Sequence, residues 1–575
     1  MSTLRYEKTI GLAVSGDVRL TKLEVDIIDT PAFQRLRRIK QLGPSSWVYP
    51  TAVHTRFDHS IGVLKVADQM VTSIHEILEQ INAPDAGRAF PITKSQRILA
   101  RLYALLHDIT HIPFGHTLED ELHIFTSHDA FQKSAGSESG LDRFETLLGE
   151  TSAIGKLIAA QLGPRMYDRF RNIYLKGKFS RLEVDDQEGR TADEFVYYLV
   201  SDTVCADLLD YIQRDDLFCN LGLRTPKRIL NYLFVTDVKN ETGEDRRRVV
   251  IRLWKPKDGL PRRDILTDLA GLLDARYMLA ERVYFHPAKL IVGTMIGRSV
   301  LEAKLAGLLE PIDLLRFGDE DLLDHLRELK SKRKAKGRAS EQVEVAVRIA
   351  RDVSDRRLYD RIQRYTDESF SDGAINQVDV RAELLKNLSS AEDRRLHENQ
   401  IAEIAGARHG EILIYVGPKN MNMKVADAMV EWSGEQIPLR KLDRSKEPVL
   451  MSRLLSIEES HKRLWVTDLM VHPDLDETQR QLAIIAFDAS FLPRKQREKS
   501  WYLVVNRIVA TEPSFGNRNA EDRDNAVRIA ARKLADEGIS LIAGHGRGEA
   551  INAREYLLQL VRDAITEDQL ELDAD

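Results

Sequence analysis

Apolar residues recur every three or four positions through residues 1–310. TPAFQRLRRIKQL, IGVLKVADQMVTSIHEILEQI, RILARLYALLHD and TADEFVYYLVSDTVCADLLDYIQRD each place their apolar side chains along one stripe, which predicts a run of amphipathic helices. One interruption stands out. YLFVTDVKN and RRRVVIRLW flank the turn-forming ETGED, the layout of a β-hairpin, and read as a local decoration of the helical region. Past residue 405 the pattern changes: EILIYVGP and RLWVTDLMVHP read as strands and DNAVRIAARKLADEG as a helix. The predicted fold class is mainly α, with a helical core over 1–310, a helical extension over 311–404 and a smaller α+β region over 405–575.

Length agrees with this division, since 575 residues exceed what one hydrophobic core usually organises. A hydrophobic share of 43% with 30% charged residues is that of an ordinary globular chain. The net charge of -6 gives no global attraction to nucleic acid or to an anionic membrane, so any polyanion site must be local. The run KSKRKAKGR at 330–338 is the one dense basic stretch and reads as a solvated linker or loop. Its alternative is a nucleotide or nucleic-acid contact, although no aromatic residue is interleaved to stack on bases. Cys205 and Cys219 are the only cysteines, which excludes a disulfide framework and a cysteine-cage metal site. The start MSTLRYEKTIG has no signal-peptide pattern and no apolar run suits a membrane span, so the expected location is the cytoplasm.

The histidines carry the chemistry. His54, His59, His107, His111, His116, His123 and His128 all fall in the first quarter of the chain. ALLHDITHIPFGH sets His107 beside Asp108 at the end of an apolar helical run, with His111 one turn on. Two imidazoles and a carboxylate in one small volume suit zinc, iron or manganese, and additional oxygen ligands shift the preference toward magnesium. Further along, Asp207, Tyr211 and Asp215 are spaced by four and share one helix face. A carboxylate, a phenol and a second carboxylate make a poor dry core, so that face belongs to a wet cleft.

His59 in HTRFDHSIG, the His107–Asp108 pair in LLHDITH and Asp207 in ADLLDYIQRD, in that order, resemble the H…HD…D metal set of the HD superfamily. Within it the chain is similar, over residues 8 to 310, to deoxynucleoside triphosphate triphosphohydrolases. IIDTPAFQRLRRIKQLGPSSWVYPTAVHTRFDHSIG is the longest stretch carrying that family's pattern.

The resemblance implies a helical HD core that hydrolyses dNTPs to deoxynucleoside and triphosphate with a divalent metal (Mg, Mn, Fe, Zn or Co) on His59, His107, Asp108 and Asp207. It implies Arg56 as a phosphate contact and His111, His116 and His128 as active-site histidines, with His116 the first choice of general acid. Glu119, three residues beyond His116, is expected on the same helical face, where it would orient that histidine. Substrate contacts implied are Gln41 and Leu42 against the sugar, Tyr211 and Asp215, Arg276 on the phosphates and Tyr284 on the sugar. An activating nucleotide bound between subunits of a homo-oligomer would meet Asp29, Gln34 and Arg37. Read on its own, Asp29 before Thr30-Pro31 is a helix N-cap.

The sequence departs from the family in three places: Leu208 replaces a phosphate-binding lysine, LAVSG replaces a DPIHG-like stretch, and Pro287 replaces a lysine. A monophosphatase, a phosphodiesterase or single-strand nuclease, and a non-catalytic nucleotide sensor are the alternatives.

Overall fold

In a computed structural model of the chain, residues 4–80, 89–128, 130, 140–175, 187–223, 225–239, 243–255, 260–330, 338–366, 377–419, 421, 428–442, 447–492, 494–516, 519–537 and 552–572 are described. The basic run at 330–338 lies outside them apart from its two end residues. The fold is mainly α, and among the described residues no helix is long and apolar enough to cross a membrane.

Five helices frame the site. Arg56–Gln80 packs against Lys94–Leu106 and against Ala206–Cys219, and Arg263–Leu279 and Pro287–Leu305 complete the surround. Lys94–Leu106 starts at a reciprocal cap: Thr93 Oγ1 accepts from Gln96 N–H and the Gln96 side chain accepts from Thr93 N–H. Ala206–Cys219 ends where Asn220 turns left-handed at φ 53°, a conformation asparagine tolerates. Gly62 lets this helix lie unusually close to Arg56–Gln80. A Cβ there would stand 2.1 Å from Asp210 Oδ1 and 2.2 Å from Arg214 Nη2.

The predicted hairpin forms, with Leu233–Lys239 antiparallel to Asp245–Arg252. It is not a local decoration. Met429–Trp432 pairs in parallel with Asp245–Arg252, and Glu435–Pro438 extends the sheet to four strands, so residues on both sides of 405 share one set of hydrogen bonds. A second sheet orders Asp360–Thr366, Val466–Val471 and Ile412–Val416, all antiparallel.

Two large cores result, one under the site helices and one built from residues 365–565. A buried polar network ties them. Arg298 on the Pro287–Leu305 helix bonds Glu302 (2.8 Å), Glu398 and Asn399 (2.6 Å), and Glu398 accepts from the Ile414 N–H (2.8 Å).

Candidate active site

His59 lies one turn into the Arg56–Gln80 helix, His107 and Asp108 at the end of Lys94–Leu106, and Asp207 in the first turn of Ala206–Cys219. His59 Nδ1 meets Asp210 Oδ2 at 2.9 Å and His107 Nδ1 meets the Ala104 carbonyl at 2.8 Å. Both partners are acceptors, so each ring carries its proton on Nδ1 and turns a lone pair out from Nε2. Neither Nε2 makes a hydrogen bond. His59 Nε2 lies 3.0 Å from Asp207 Oδ1 and 3.8 Å from Asp108 Oδ2. His107 Nε2 lies 3.4 Å from Asp108 Oδ1 and 3.9 Å from Asp207 Oδ1.

The ligand atoms of His59, His107 and Asp207 all lie within 4.8 Å of one another and fit a divalent cation; Asp108 stands beside them and forms a second such group with His111 and His128. A proton answers the same pull: burial lowers the His59 pKa, but the Asp207 carboxylate close to Nε2, the hydrogen bond to Asp210 and the charge of Asp108 carry it to about 10. Proton and metal compete for one place.

Arg56 lies against this cluster, its Nη1 2.5 Å from Asp108 Oδ2. Burial pushes the Asp108 carboxyl up, but Arg56, His107 and His111 outweigh that and hold it well below the usual range. Arg35, fully buried, donates to the carbonyls of Ile109 (2.8 Å) and His111 (2.9 Å) and so pins the loop after the His-Asp pair. Phe114 turns that loop at φ 54°, and Gly115 follows with space for no side chain, a Cβ there falling 2.7 Å from His111 Nδ1.

The remaining histidines cluster beyond it. His111 and His128 have ring centroids 3.6 Å apart, and His116 lies 4.8 Å from His111. Burial, Arg56 and His128 hold the His111 pKa well below the usual range, so this ring is neutral. The expectation for Glu119 is corrected. Its Oε2 takes His128 Nδ1 at 2.9 Å and its Oε1 takes Arg143, while His116 Nδ1 meets Asp120 at 2.6 Å. The Thr117–Glu121 segment is a wide turn closed by Leu122 N–H on the Thr117 carbonyl, which buries Glu119 and turns Asp120 to His116. His116 is half exposed at the rim.

A cavity of about 470 Å3 opens over these groups. Arg56, His107, Asp108, His111, His116, His128 and Asp207 line it, as do Gln41, Leu42, Tyr211, Asp215, Arg276 and Tyr284. His59 sits in its floor, fully buried. Gln41 is held in place through its N–H on the His54 carbonyl (3.0 Å). Asp215 is drier than the wet-cleft reading predicts, being 1% exposed, and it is fully partnered by His54 Nε2 (2.9 Å) and Tyr284 OH (2.8 Å). Burial pushes the Tyr211 and Tyr284 hydroxyls up, so both remain proton donors. Arg276 and Tyr284 are not on one regular helix: Arg263–Leu279 passes into a wide turn over Ala280–Tyr284 before Pro287 starts the next helix.

Asp29, Gln34 and Arg37 lie outside the cavity. Arg37 Nε donates to Gln34 Oε1 (2.9 Å) and its guanidinium covers the Phe57 ring at 3.5 Å. Asp29 is not the N-cap its sequence context suggests. It ends the Lys22–Ile28 helix, and Thr30 caps the next one by accepting from Phe33 N–H.

Residues 56–193 match the HD domain family and residues 269–464 the HD associated region. The chain carries an HD domain. This HD protein is 30% identical over 322 residues to an uncharacterized protein of Methanocaldococcus jannaschii, covering 56% of this chain and 55% of that one. It is 29% identical over 310 residues to the deoxynucleoside triphosphate triphosphohydrolase SAMHD1 of Homo sapiens, covering 52% and 44%. The chain thus spans about half the length of the curated relatives it matches. A hypothetical protein from Aquifex aeolicus shares the fold at a TM-score of 0.53 and 19% identity, over 83% of this chain and 99% of that one.

Sequence reasoning missed several residues of the HD protein's site. Asp210 and Arg214, a buried pair with Arg214 Nε 2.8 Å from Asp210 Oδ2, had a local signal in their four-residue spacing beside Asp207. His54 stood in the histidine cluster without a role assigned to it, and Asp120 and Arg35 had no signal beyond proximity to the motifs. Lys289, Glu121 and Tyr415 also line the cavity, and the last comes from a strand about 200 residues beyond Asp207.

Proposed function

We propose that this protein is a metal-dependent phosphohydrolase that cleaves deoxynucleoside triphosphates into deoxynucleoside and triphosphate. One observation carries the reading: the unpartnered Nε2 atoms of His59 and His107 converge with the Asp108 and Asp207 carboxylates in a cavity lined by Arg56, Arg276 and His116. Those four residues would hold a divalent ion (Mg, Mn, Fe, Zn or Co). Such an ion supplies Lewis-acid polarisation of a phosphoryl oxygen and makes water acidic enough to attack near neutral pH.

The chain's own groups do the rest. Arg276, with Tyr211 beside it, binds phosphate oxygens, and Arg56 neutralises the α-phosphate while steadying Asp108. The departing 5′ oxygen needs a proton, and His116 gives it from Nε2 because Asp120 occupies Nδ1. His111, neutral and buried, packs the acid in place, with Glu119 fixing His128 beside it. Tyr284, its hydroxyl oriented by Asp215, meets the sugar, and Leu42 walls off C2′, where a ribose hydroxyl would lose its hydrogen bonds. Asp29, Gln34 and Arg37, outside the cavity lining, are the place for an activating nucleotide in a closed homo-oligomer.

The test is incubation of the purified protein with each dNTP and NTP, singly and mixed, with each metal, and identification of products by chromatography. Triphosphate with deoxynucleoside is the expected product, lost in His107→Ala together with bound metal. Leu208 on the cavity wall, where relatives carry a lysine, favours a second reading, a nucleotide monophosphatase or phosphodiesterase. Orthophosphate or a cleaved strand in place of triphosphate would establish it and sink the first. Turnover only in mixtures would reveal the activator.

A further inference from the structure

One wall of the cavity belongs to the second core. Strand Ile412–Val416 sends Leu413 and Tyr415 into the core under the site and Ile412, Ile414 and Val416 into the other, as the two-residue period of a strand requires. Tyr415 reaches the cavity, is 1% exposed, and its hydroxyl has no hydrogen-bond partner. An unpaired buried hydroxyl is a standing cost to the fold, removed when a ligand acceptor meets it.

Two further side chains stand at this wall. Lys289 is 4% exposed and its Nζ bonds the Glu121 carboxylate, both residues lining the cavity. Their position is fixed by Gly293, one helical turn beyond Lys289, where a Cβ would stand 3.0 Å from Thr117 Cγ2 and 3.8 Å from Pro44 Cγ. Gly293 thus sets the helix carrying Lys289 against Pro44 and Thr117, so this wall adjoins the Gln41–Ser45 segment, the sugar side of the cavity in the reading above. Burial, with the charges of Glu121 and Asp468, pushes the Tyr415 hydroxyl well above the usual phenol range, so it stays an O–H donor. One cation, one anion and one neutral donor sum to zero charge. That suits a neutral, polar edge and not a polyphosphate tail.

We propose that Tyr415, Lys289 and Glu121 read the base of the bound deoxynucleotide and select bases with a carbonyl beside a ring N–H, guanine and thymine, over adenine and cytosine. The assignment rests on the nucleotide-hydrolase reading. Guanine O6 or thymine O4 accepts from the hydroxyl and the ammonium, and the neighbouring ring N–H donates to Glu121. Adenine and cytosine present an amino group to those donors and a ring lone pair to the carboxylate, leaving buried groups unpaired on both sides.

The test uses the full-length, metal-loaded protein, its binding of the four α,β-imido dNTP analogues, and its kcat/KM for the four dNTPs. Tyr415→Phe deletes only an unpartnered atom, so its Tm should equal or exceed that of the wild type. Its affinity for the guanine and thymine analogues should fall about tenfold, the worth of one hydrogen bond, with adenine and cytosine unchanged. Glu121→Gln still accepts from Lys289 but can also donate, and should narrow the preference. Equal binding of all four analogues by the wild type, or an equal loss for all four in Tyr415→Phe, overturns the assignment. Discriminating binding without any dNTP turnover removes the hydrolase reading and leaves base recognition standing. Turnover without base discrimination does the reverse.

Discussion

Asp210 shows how much of the proposed metal site lies outside its ligands. It touches no proposed substrate group, yet its carboxylate fixes the His59 tautomer and is itself held by Arg214 and Ser15. Asp210→Asn should lower metal affinity by about 10- to 100-fold while leaving the helical fold in place, read by metal titration alongside circular dichroism. The proposed ligands could be picked out in the sequence, because each stands in a short motif. Their supports were less so: Glu119 was placed beside His116 on the assumption of a regular helix, and the wide Thr117–Glu121 turn gives that place to Asp120. No propensity in TLEDE announces such a turn. Lys289 and Tyr415 were invisible for another reason, since only tertiary packing brings them to the cavity.

At the scale of elements, the site depends on loops held by distant carboxylates. Asp319, at the start of the Asp319–Arg327 helix, accepts from the backbone N–H of Lys40 (2.9 Å) and of Phe114 (2.9 Å), and so joins the loop carrying Gln41 and Leu42 to the one leading to His116. Burial pushes its carboxyl from 3.8 up to about 6, against the pull of those two N–H groups. The folded chain thus takes up this proton at higher pH than the unfolded chain does. The group's stabilising contribution is present in full below pH 3.8 and is lost as the pH rises through about 6. Comparing wild type with Asp319→Asn in urea melts, the difference should move in favour of the wild type by about 2 kcal/mol between neutral pH and pH ~4. A flat difference would mean that the carboxyl titrates normally. The helices and the hairpin of this region were readable from periodicity. The partner strands of that hairpin were not, because Met429–Trp432 is short and lies about 180 residues away.

At the scale of the molecule, the division near residue 405 marks a change of pattern but not a place where the chain can be cut. Ending the chain there would remove Met429–Trp432 and Glu435–Pro438, leaving Asp245–Arg252 as a bare edge, and would strip Glu398 of its Ile414 N–H. Such a fragment should aggregate on size-exclusion chromatography and fail to bind metal, whereas a cleanly folded, metal-binding fragment would show that the two cores are independent. The Ile412–Val416 strand has a consequence of another kind. Its alternate residues answer to different cores, so the strand is one short word written in two alphabets. Among homologues, substitutions at 413 and 415 should be correlated with changes in the helices around the cavity, and substitutions at 412, 414 and 416 with changes in the residues 365–565 core. An insertion of a single residue would exchange the two sets and unsettle both cores at once.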